Sequence, residues 1–179
     1  MRSLEQVLKD GIRDIPDYPQ AGVIFKDITP LLADNSGFAQ VVEALAATGT
    51  DDDGRPVVDK VVGIEARGFI LAAPVALALG AGFVPVRKKG KLPAATYEES
   101  YALEYGEATI EVHQDAFAPG DRVLIIDDVL ATGGTIEACL RLIRRFEAEV
   151  HGTTVLLELS FLPGRERLSG EQLTALVTV

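Results

Sequence analysis

One stretch of thirteen residues combines two carboxylates with a run of small side chains: Val123-Leu124-Ile125-Ile126-Asp127-Asp128-Val129-Leu130-Ala131-Thr132-Gly133-Gly134-Thr135. The apolar residues read as a buried strand with the acidic pair at its end, and the small residues open a helix. Ala131 to Thr135 let the backbone approach a ligand closely, and Gly133 and Gly134 can adopt positive φ. Their N–H groups and the helix N-terminus make an anion site suited to a phosphomonoester, with hydroxyl donors from Thr132 and Thr135. Asp127 and Asp128 would repel that phosphate. Vicinal ribose hydroxyls are therefore their natural partner, with a magnesium ion able to sit nearby. No Gly-Lys-Ser/Thr closes the loop and no Gly-x-Gly-x-x-Gly is present, so neither a P-loop nor a dinucleotide fingerprint is at hand.

A second strand-to-helix junction is Gly63-Ile64-Glu65-Ala66-Arg67-Gly68-Phe69. Arg67 offers a fork of donors beside a helix N-terminus, which suits a pyrophosphate; a surface pair with Glu65 is the alternative. Arg87-Lys88-Lys89-Gly90-Lys91 concentrates cations in a polar stretch. Phe25, flanked by Ile24 and Lys26, can offer an aromatic face and backbone groups to a purine, although taken alone it reads as a core residue.

These residues need a scaffold that delivers them to one place. Leu4, Val7, Leu8 and Ile12 fall at helical spacing, predicting a helix over residues 3–14 that Pro16 and Pro19 end. Asp34 or Ser36 can cap a second helix carrying Phe38, Val41, Val42 and Leu45. Apolar strands at 60–64, 82–86, 122–126 and 153–157 alternate with helices over 69–79 and about 135–147. Continuous apolar strands joined by helices mean a parallel central sheet flanked by helices, an α/β fold of Rossmann-like type. Ligands in such sheets sit beyond the carboxyl ends of the strands, after Ile64, Val86 and Ile126. Residues 87–113 interrupt the alternation. They read as a hood: Tyr97 to Tyr105 and Ala108 to His113 make a small antiparallel hairpin, and the stretch from Lys88 to Ser100 is a long polar, lysine-rich segment poor in core residues.

The chain has 179 residues, enough for one domain with a sizeable core, expected to span residues 1–179. Its net charge is −10 and its isoelectric point about 4.7. Such a field argues against nucleic-acid and acidic-membrane partners, while leaving room for a locally positive pocket. A single cysteine, Cys139, excludes a disulfide framework within the chain and reads as a buried thiol. Two dispersed histidines and one cysteine cannot build a zinc site. Residues 1–10 interleave charge with apolar residues, unlike a signal peptide, and no apolar run is long enough to span a bilayer. A soluble cytoplasmic protein is expected. The acidic turn Asp51-Asp52-Asp53-Gly54 reads as a solvated loop.

The thirteen-residue run closely resembles the signature of the type I phosphoribosyltransferases. Glu65-Ala66-Arg67-Gly68-Phe69 resembles the pyrophosphate loop of the members that use adenine, and Tyr18 to Pro30 is similar to their base-binding segment. Val86 to Pro93 resembles the start of a mobile catalytic hood, and Ser100 to Gly106 its end. The resemblance runs from about Pro16 to Arg167, with Lys26 standing where arginine is common.

It implies transfer of the 5-phosphoribosyl group from phosphoribosyl pyrophosphate to adenine, giving AMP and pyrophosphate, with Mg²⁺ held mainly through the donor. Ala131, Thr132, Gly133, Gly134 and Thr135 would hold the 5-phosphate, and Asp127 and Asp128 the ribose. Glu65, Ala66, Arg67, Arg87, Lys88, Lys91 and Tyr105 would serve the pyrophosphate and hood. Ile24, Phe25 and Lys26 would read adenine, with Phe25 stacked on the ring. Glu104 would handle a proton of the base, joining Arg67, Asp127 and Asp128 as the catalytic set. An unusual Glu65–Ala66 peptide and a homodimer are implied as well. The alternatives are a transferase for another purine base and a regulator that senses phosphoribosyl pyrophosphate.

Overall fold

A computed structural model of the chain describes residues 2–103 and 106–179. Two compact units follow one another, one ending at Ala44 and one beginning at Leu45.

The first unit opens with α1 (Leu4–Gly11), capped by the Ser3 hydroxyl accepting from Gln6 N–H at 3.2 Å. The helix stops short of the expected residue 14. Arg13 to Pro16 instead form β1, paired antiparallel with β2 (Ile24–Asp27), so that Ile15 faces Phe25 and Asp14 faces Lys26. A two-strand ladder outweighs the last turn of a helix that Pro16 would end anyway. Between the strands, Asp17 at φ 55° accepts from Gly22 N–H at 2.8 Å and closes the connection. Two helices follow where one was expected: α2 (Thr29–Ala33), with Pro30 in its first turn, and α3 (Asn35–Ala47). Asp34 separates them, its carboxylate accepting from the Ser36 hydroxyl at 3.0 Å and from the backbone of Gly37.

The second unit is built on a seven-stranded sheet. Its elements are β3 (Lys60–Ile64), α4 (Arg67–Leu79), β4 (Gly82–Lys88), β5 (Thr96–Ala102), β6 (Glu107–His113), β7 (Arg122–Leu130), α5 (Gly134–Arg144), β8 (Glu149–Glu158), α6 (Gly164–Arg167) and β9 (Leu173–Thr178). The order is β5-β6-β4-β3-β7-β8-β9. β4, β3, β7, β8 and β9 run parallel, while β6 and β5 are antiparallel. Alternation along β3 shows why helices cover both faces. Val62 and Ile64 join Val123, Ile125, Ile136, Cys139, Leu140 and Ile143 in one buried cluster around α5. Gly63, on the other face, lies so close to α4 that a Cβ there would stand 2.8 Å from that of Ala72.

The hood hairpin is a continuation of the central sheet. β6 pairs with β4 through Arg87 opposite Glu111 and Lys88 opposite Ile110. The hairpin stands where it was read: β5 begins at Thr96, one residue before the expected Tyr97, and pairs along its whole length with β6, so the polar stretch after Lys88 that is not strand is short. The alternating Tyr97, Glu99 and Tyr101 of β5 were the strand signal inside a polar composition. β7 also outruns its expected end at Ile126. β8 lies beside it as far as Leu130, so Asp127 and Asp128 sit within a strand, not beyond one. α6 and β9 complete the unit; the expected elements stopped at residue 157.

Candidate functional site

Asp127 and Asp128 are both buried, with 9% and 7% of their surfaces exposed. The Asp127 carboxylate turns back along its own strand and accepts the Asp128 N–H at 2.9 Å. It presses on the start of α4, where a Cβ on Gly68 would stand 2.7 Å from Asp127 Oδ1. Only glycine lets a helix N-terminus come this near a buried carboxylate, and the positive end of the helix dipole favours the contact. Burial, and then the charge of Asp128, push the Asp127 carboxyl well above the ordinary aspartate range. Burial raises Asp128 as well, opposed by the Arg67 guanidinium.

Arg67 is the first residue of α4, and its Nε lies 2.7 Å from Asp128 Oδ2. That ion pair ties the β3–α4 junction to the acidic pair on β7. The expected alternative partner, Glu65, is engaged elsewhere. Its carboxylate meets Lys91 Nζ at 2.7 Å, accepts the Lys88 N–H at 3.0 Å, and lies 3.3 Å from Arg87 Nε. Burial works to raise the Glu65 carboxyl, but these three contacts outweigh it and hold the group below its ordinary value. The Glu65–Ala66 peptide bond is cis.

The small-residue loop is shaped as its composition requires. Gly133 has φ 78° and immediately precedes α5, and its carbonyl accepts the Glu137 N–H at 2.9 Å. A cavity of about 80 Å³ is lined by Asp127 and by residues 129–136, Thr132 and Thr135 among them. The first residues of α5, Gly134 to Ile136, form part of its wall. The cavity is small and sits at the head of a helix, where the dipole favours negative charge.

In the first unit, Ile24, Phe25 and Lys26 lie together on β2. Phe25 makes an edge-to-face contact with Tyr18 at 5.2 Å between ring centres. Lys26 Nζ is tied to Asp14 at 2.7 Å. At the end of the strand, Asp27 accepts the backbone and hydroxyl of Thr29 and pairs with Arg13, which lowers its carboxyl to about 2. The segment is braced on both sides by charge pairs.

Thus the structure brings Arg67 to Asp128, places Asp127 beside the loop, and gathers Arg87, Lys88 and Lys91 around Glu65. Glu104 and Tyr105 lie outside the described residues. Sequence reasoning missed Glu111, a buried carboxylate on β6 whose Oε1 accepts the N–H groups of Lys91 and Leu92, each at 2.8 Å. Its signal was a lone acid between Ile110 and Val112. Gly68 was missed too, since only the close approach of Asp127 gives it meaning. Among the described residues, no group of three or more His, Cys, Asp or Glu side chains is placed to hold a metal ion. Nor is any helix long and apolar enough to cross a membrane.

A strand carrying an acidic pair leads into a glycine loop at the head of a helix, on a parallel sheet with an antiparallel extension. The family model for the phosphoribosyl transferase domain matches residues 31–167, and the chain belongs to that family. Among curated relatives it is 66% identical to the adenine phosphoribosyltransferase of a Nocardioides species, over 94% of this chain and 91% of the relative. Among solved structures it is similar to the adenine phosphoribosyltransferase of Thermoanaerobacter pseudethanolicus. That comparison has 47% identity and a TM-score of 0.92, and covers 99% of this chain and 100% of the other. The Saccharomyces cerevisiae enzyme, solved with an imino-altritol bisphosphate and adenine, has 35% identity and the same TM-score of 0.92, covering 99% of this chain and all of its own.

Proposed function

We propose that the chain transfers the 5-phosphoribosyl group of phosphoribosyl pyrophosphate to adenine, and that residues 1–179 act as one catalytic unit. The observation that carries this reading is the anion loop of residues 131–135 set against the buried Asp127–Asp128 pair. The similarity to adenine-using relatives supports the choice of base.

In the reaction, N9 of adenine forms a bond to C1 of the ribose while the bond from C1 to the pyrophosphate oxygen breaks, its electron pair leaving with pyrophosphate. The loop N–H groups with Thr132 and Thr135 hold the 5-phosphate, and Asp127 and Asp128 accept the ribose hydroxyls. Arg67 faces the leaving group, where positive charge matters most as negative charge grows on the oxygens. Arg87, Lys88 and Lys91 add cations from the hood, with Glu65 and Ala66 shaping the pyrophosphate loop. Phe25 stacks on adenine while Ile24 and Lys26 read its edge through the backbone. The side chain of Lys26 is committed to Asp14, which suits a backbone role. Glu104 takes the proton that leaves the base, and Tyr105 joins the hood over the pyrophosphate.

Magnesium fits this site as a part of the donor. Two adjacent carboxylates suit an ion that arrives on pyrophosphate, where it would neutralise the leaving group, with Asp127 and Asp128 as the nearby acids. The enzyme would work in the cytoplasm as a homodimer.

The decisive experiment is a radiolabelled base panel with phosphoribosyl pyrophosphate, run with and without Mg²⁺. Adenine should give AMP in a magnesium-dependent reaction, and hypoxanthine, guanine and xanthine should give little product. No AMP from adenine would overturn the reading.

A further inference from the structure

We propose that α6 is a buttress that sets the shape of the phosphate loop, with Gly164 and Arg167 as positioning residues for the donor's 5-phosphate. The proposal rests on the assignment of residues 131–135 to that phosphate. Two independent contacts carry it.

The first is a close approach of backbone to backbone. A Cβ on Gly164 would stand 2.3 Å from the carbonyl oxygen of Ala131 and 2.9 Å from the side chain of Leu130. In turn, a Cβ on Gly133 would stand 3.0 Å from the Gly164 carbonyl oxygen. The turn that begins α6 and the loop that precedes α5 are therefore pressed together at two glycines, leaving no room for a side chain on either. Buried backbone this tightly packed transmits any displacement to its neighbour.

The second contact is electrostatic. Arg167 closes α6, and its Nε and Nη2 both reach Glu137 Oε2 at 2.8 Å. Glu137 stands in the first turn of α5, and its N–H is bonded to the Gly133 carbonyl. This fork fixes α6 to the helix that the loop opens. It also leaves the guanidinium beside the loop, with Nη1 3.3 Å from where a Cβ on Gly134 would stand. Arg167 and Thr132 line the same cavity of about 930 Å³. A cation beside the loop favours an arriving phosphate without needing to touch it.

The test compares Gly164→Ala, Arg167→Gln and Arg167→Lys with the wild-type chain. Calorimetry of phosphoribosyl pyrophosphate and of ribose 5-phosphate is combined with separate KM values for donor and adenine. Gly164→Ala should weaken donor binding by about tenfold or more, since the Ala131 carbonyl must move. Arg167→Gln should weaken it about threefold to tenfold, with Arg167→Lys recovering part of the loss because one charged donor is kept. In each folded variant the adenine KM should stay within about twofold, a split that a general loss of stability would not produce. If Gly164→Ala does not fold, the partly exposed Arg167 pair of variants carries the test. Folded variants that bind donor as the wild type does would overturn the buttress alone. A wild-type chain that binds neither phosphorylated probe would overturn the loop assignment, and the buttress with it.

Discussion

Arg67 Nε lies 2.7 Å from Asp128 Oδ2, joining the head of α4 to the C-terminal part of β7, the parallel neighbour of β3. The side chain of Asp128 is 10% exposed and that of Arg67 35%, so the acid is buried while its counter-ion reaches the opening. Among the described residues, that oxygen accepts no aligned hydrogen bond besides this charge contact. The pair keeps the buried carboxylate compensated by a nearby positive charge.

Arg67→Gln removes that compensation. Loss of the cation beside a buried acid destabilises strongly, but Arg67 is a third exposed and water screens part of the pair, so about 1–2 kcal/mol is expected. Turnover should fall by about a hundredfold or more if Arg67 faces the leaving group. Urea unfolding and steady-state rates check the two parts separately. Turnover within about twofold of wild type would exclude the catalytic role.

Asp127→Asn should stabilise the fold while disabling the site. The folded-state value of Asp127 is raised, so the folded chain holds this proton at a pH where the unfolded chain has released it. Stability from this group is therefore present below the unfolded value of 3.8 and is lost as pH rises through the raised folded value. Asparagine ends that loss and still accepts the Asp128 N–H. Melting at about pH 8 should show a gain on the order of 1 kcal/mol that shrinks toward about pH 4, together with a large drop in turnover. A melting temperature that falls at the higher pH would contradict the burial account.

Glu111→Gln should loosen the segment that carries Lys91. Burial alone would raise Glu111, but the N–H groups of Leu92, Gly90 and Lys91 outweigh it and hold the carboxyl below its ordinary value. Its contribution is thus present above the unfolded value and lost as pH falls through the lower folded one. About 1–2 kcal/mol is expected at neutral pH, since N–H bonds to a neutral amide oxygen are weaker than the same bonds to a buried carboxylate. Comparing melts of variant and wild type down to acid pH checks it: the difference should close at the acid end. A gap that widens there would refute the assignment.

Gly133→Val places a β-branched side chain at φ 78°, with its Cβ 3.0 Å from the Gly164 carbonyl oxygen. The left-handed conformation alone costs about 1–2 kcal/mol, and the contact adds to it. Donor binding measured by calorimetry should be lost, and unchanged affinity would count against the loop as the phosphate site.

Cys139 is buried in the cluster beneath α5, and burial, then the nearby Asp127 charge, push its thiol well up. A native-state thiol reagent should leave it unlabelled at neutral pH, with full labelling after denaturation. Rapid native labelling would show that the helix opens.

Much of this was legible before any coordinates. Val61, Val62 and Ile64 announced a two-faced buried strand, and β3 spans Lys60–Ile64 as read. The shape of the loop before α5 was legible from its composition: small residues, glycine at a positive φ, and a helix to follow. Helix ends and strand ends were less legible. Residues 13 and 14 look helical until β2 pairs with them, and Asp127 looks like a strand end until β8 runs beside it. Glu111 looks like an exposed strand acid until a loop folds over it.

The sequence by itself determined the chemistry on offer, since which residues can bind phosphate, pair with a hydroxyl or carry charge follows from side-chain type and from local backbone freedom. Tertiary structure decided the partners. Arg67 went to Asp128 and not to Glu65, Glu65 took Lys91 and Arg87, and Gly164 came to rest on Ala131. Each of these contacts joins residues far apart in the chain. They arise only when strand order and register set distances that no local pattern encodes, and burial then makes each pairing obligatory.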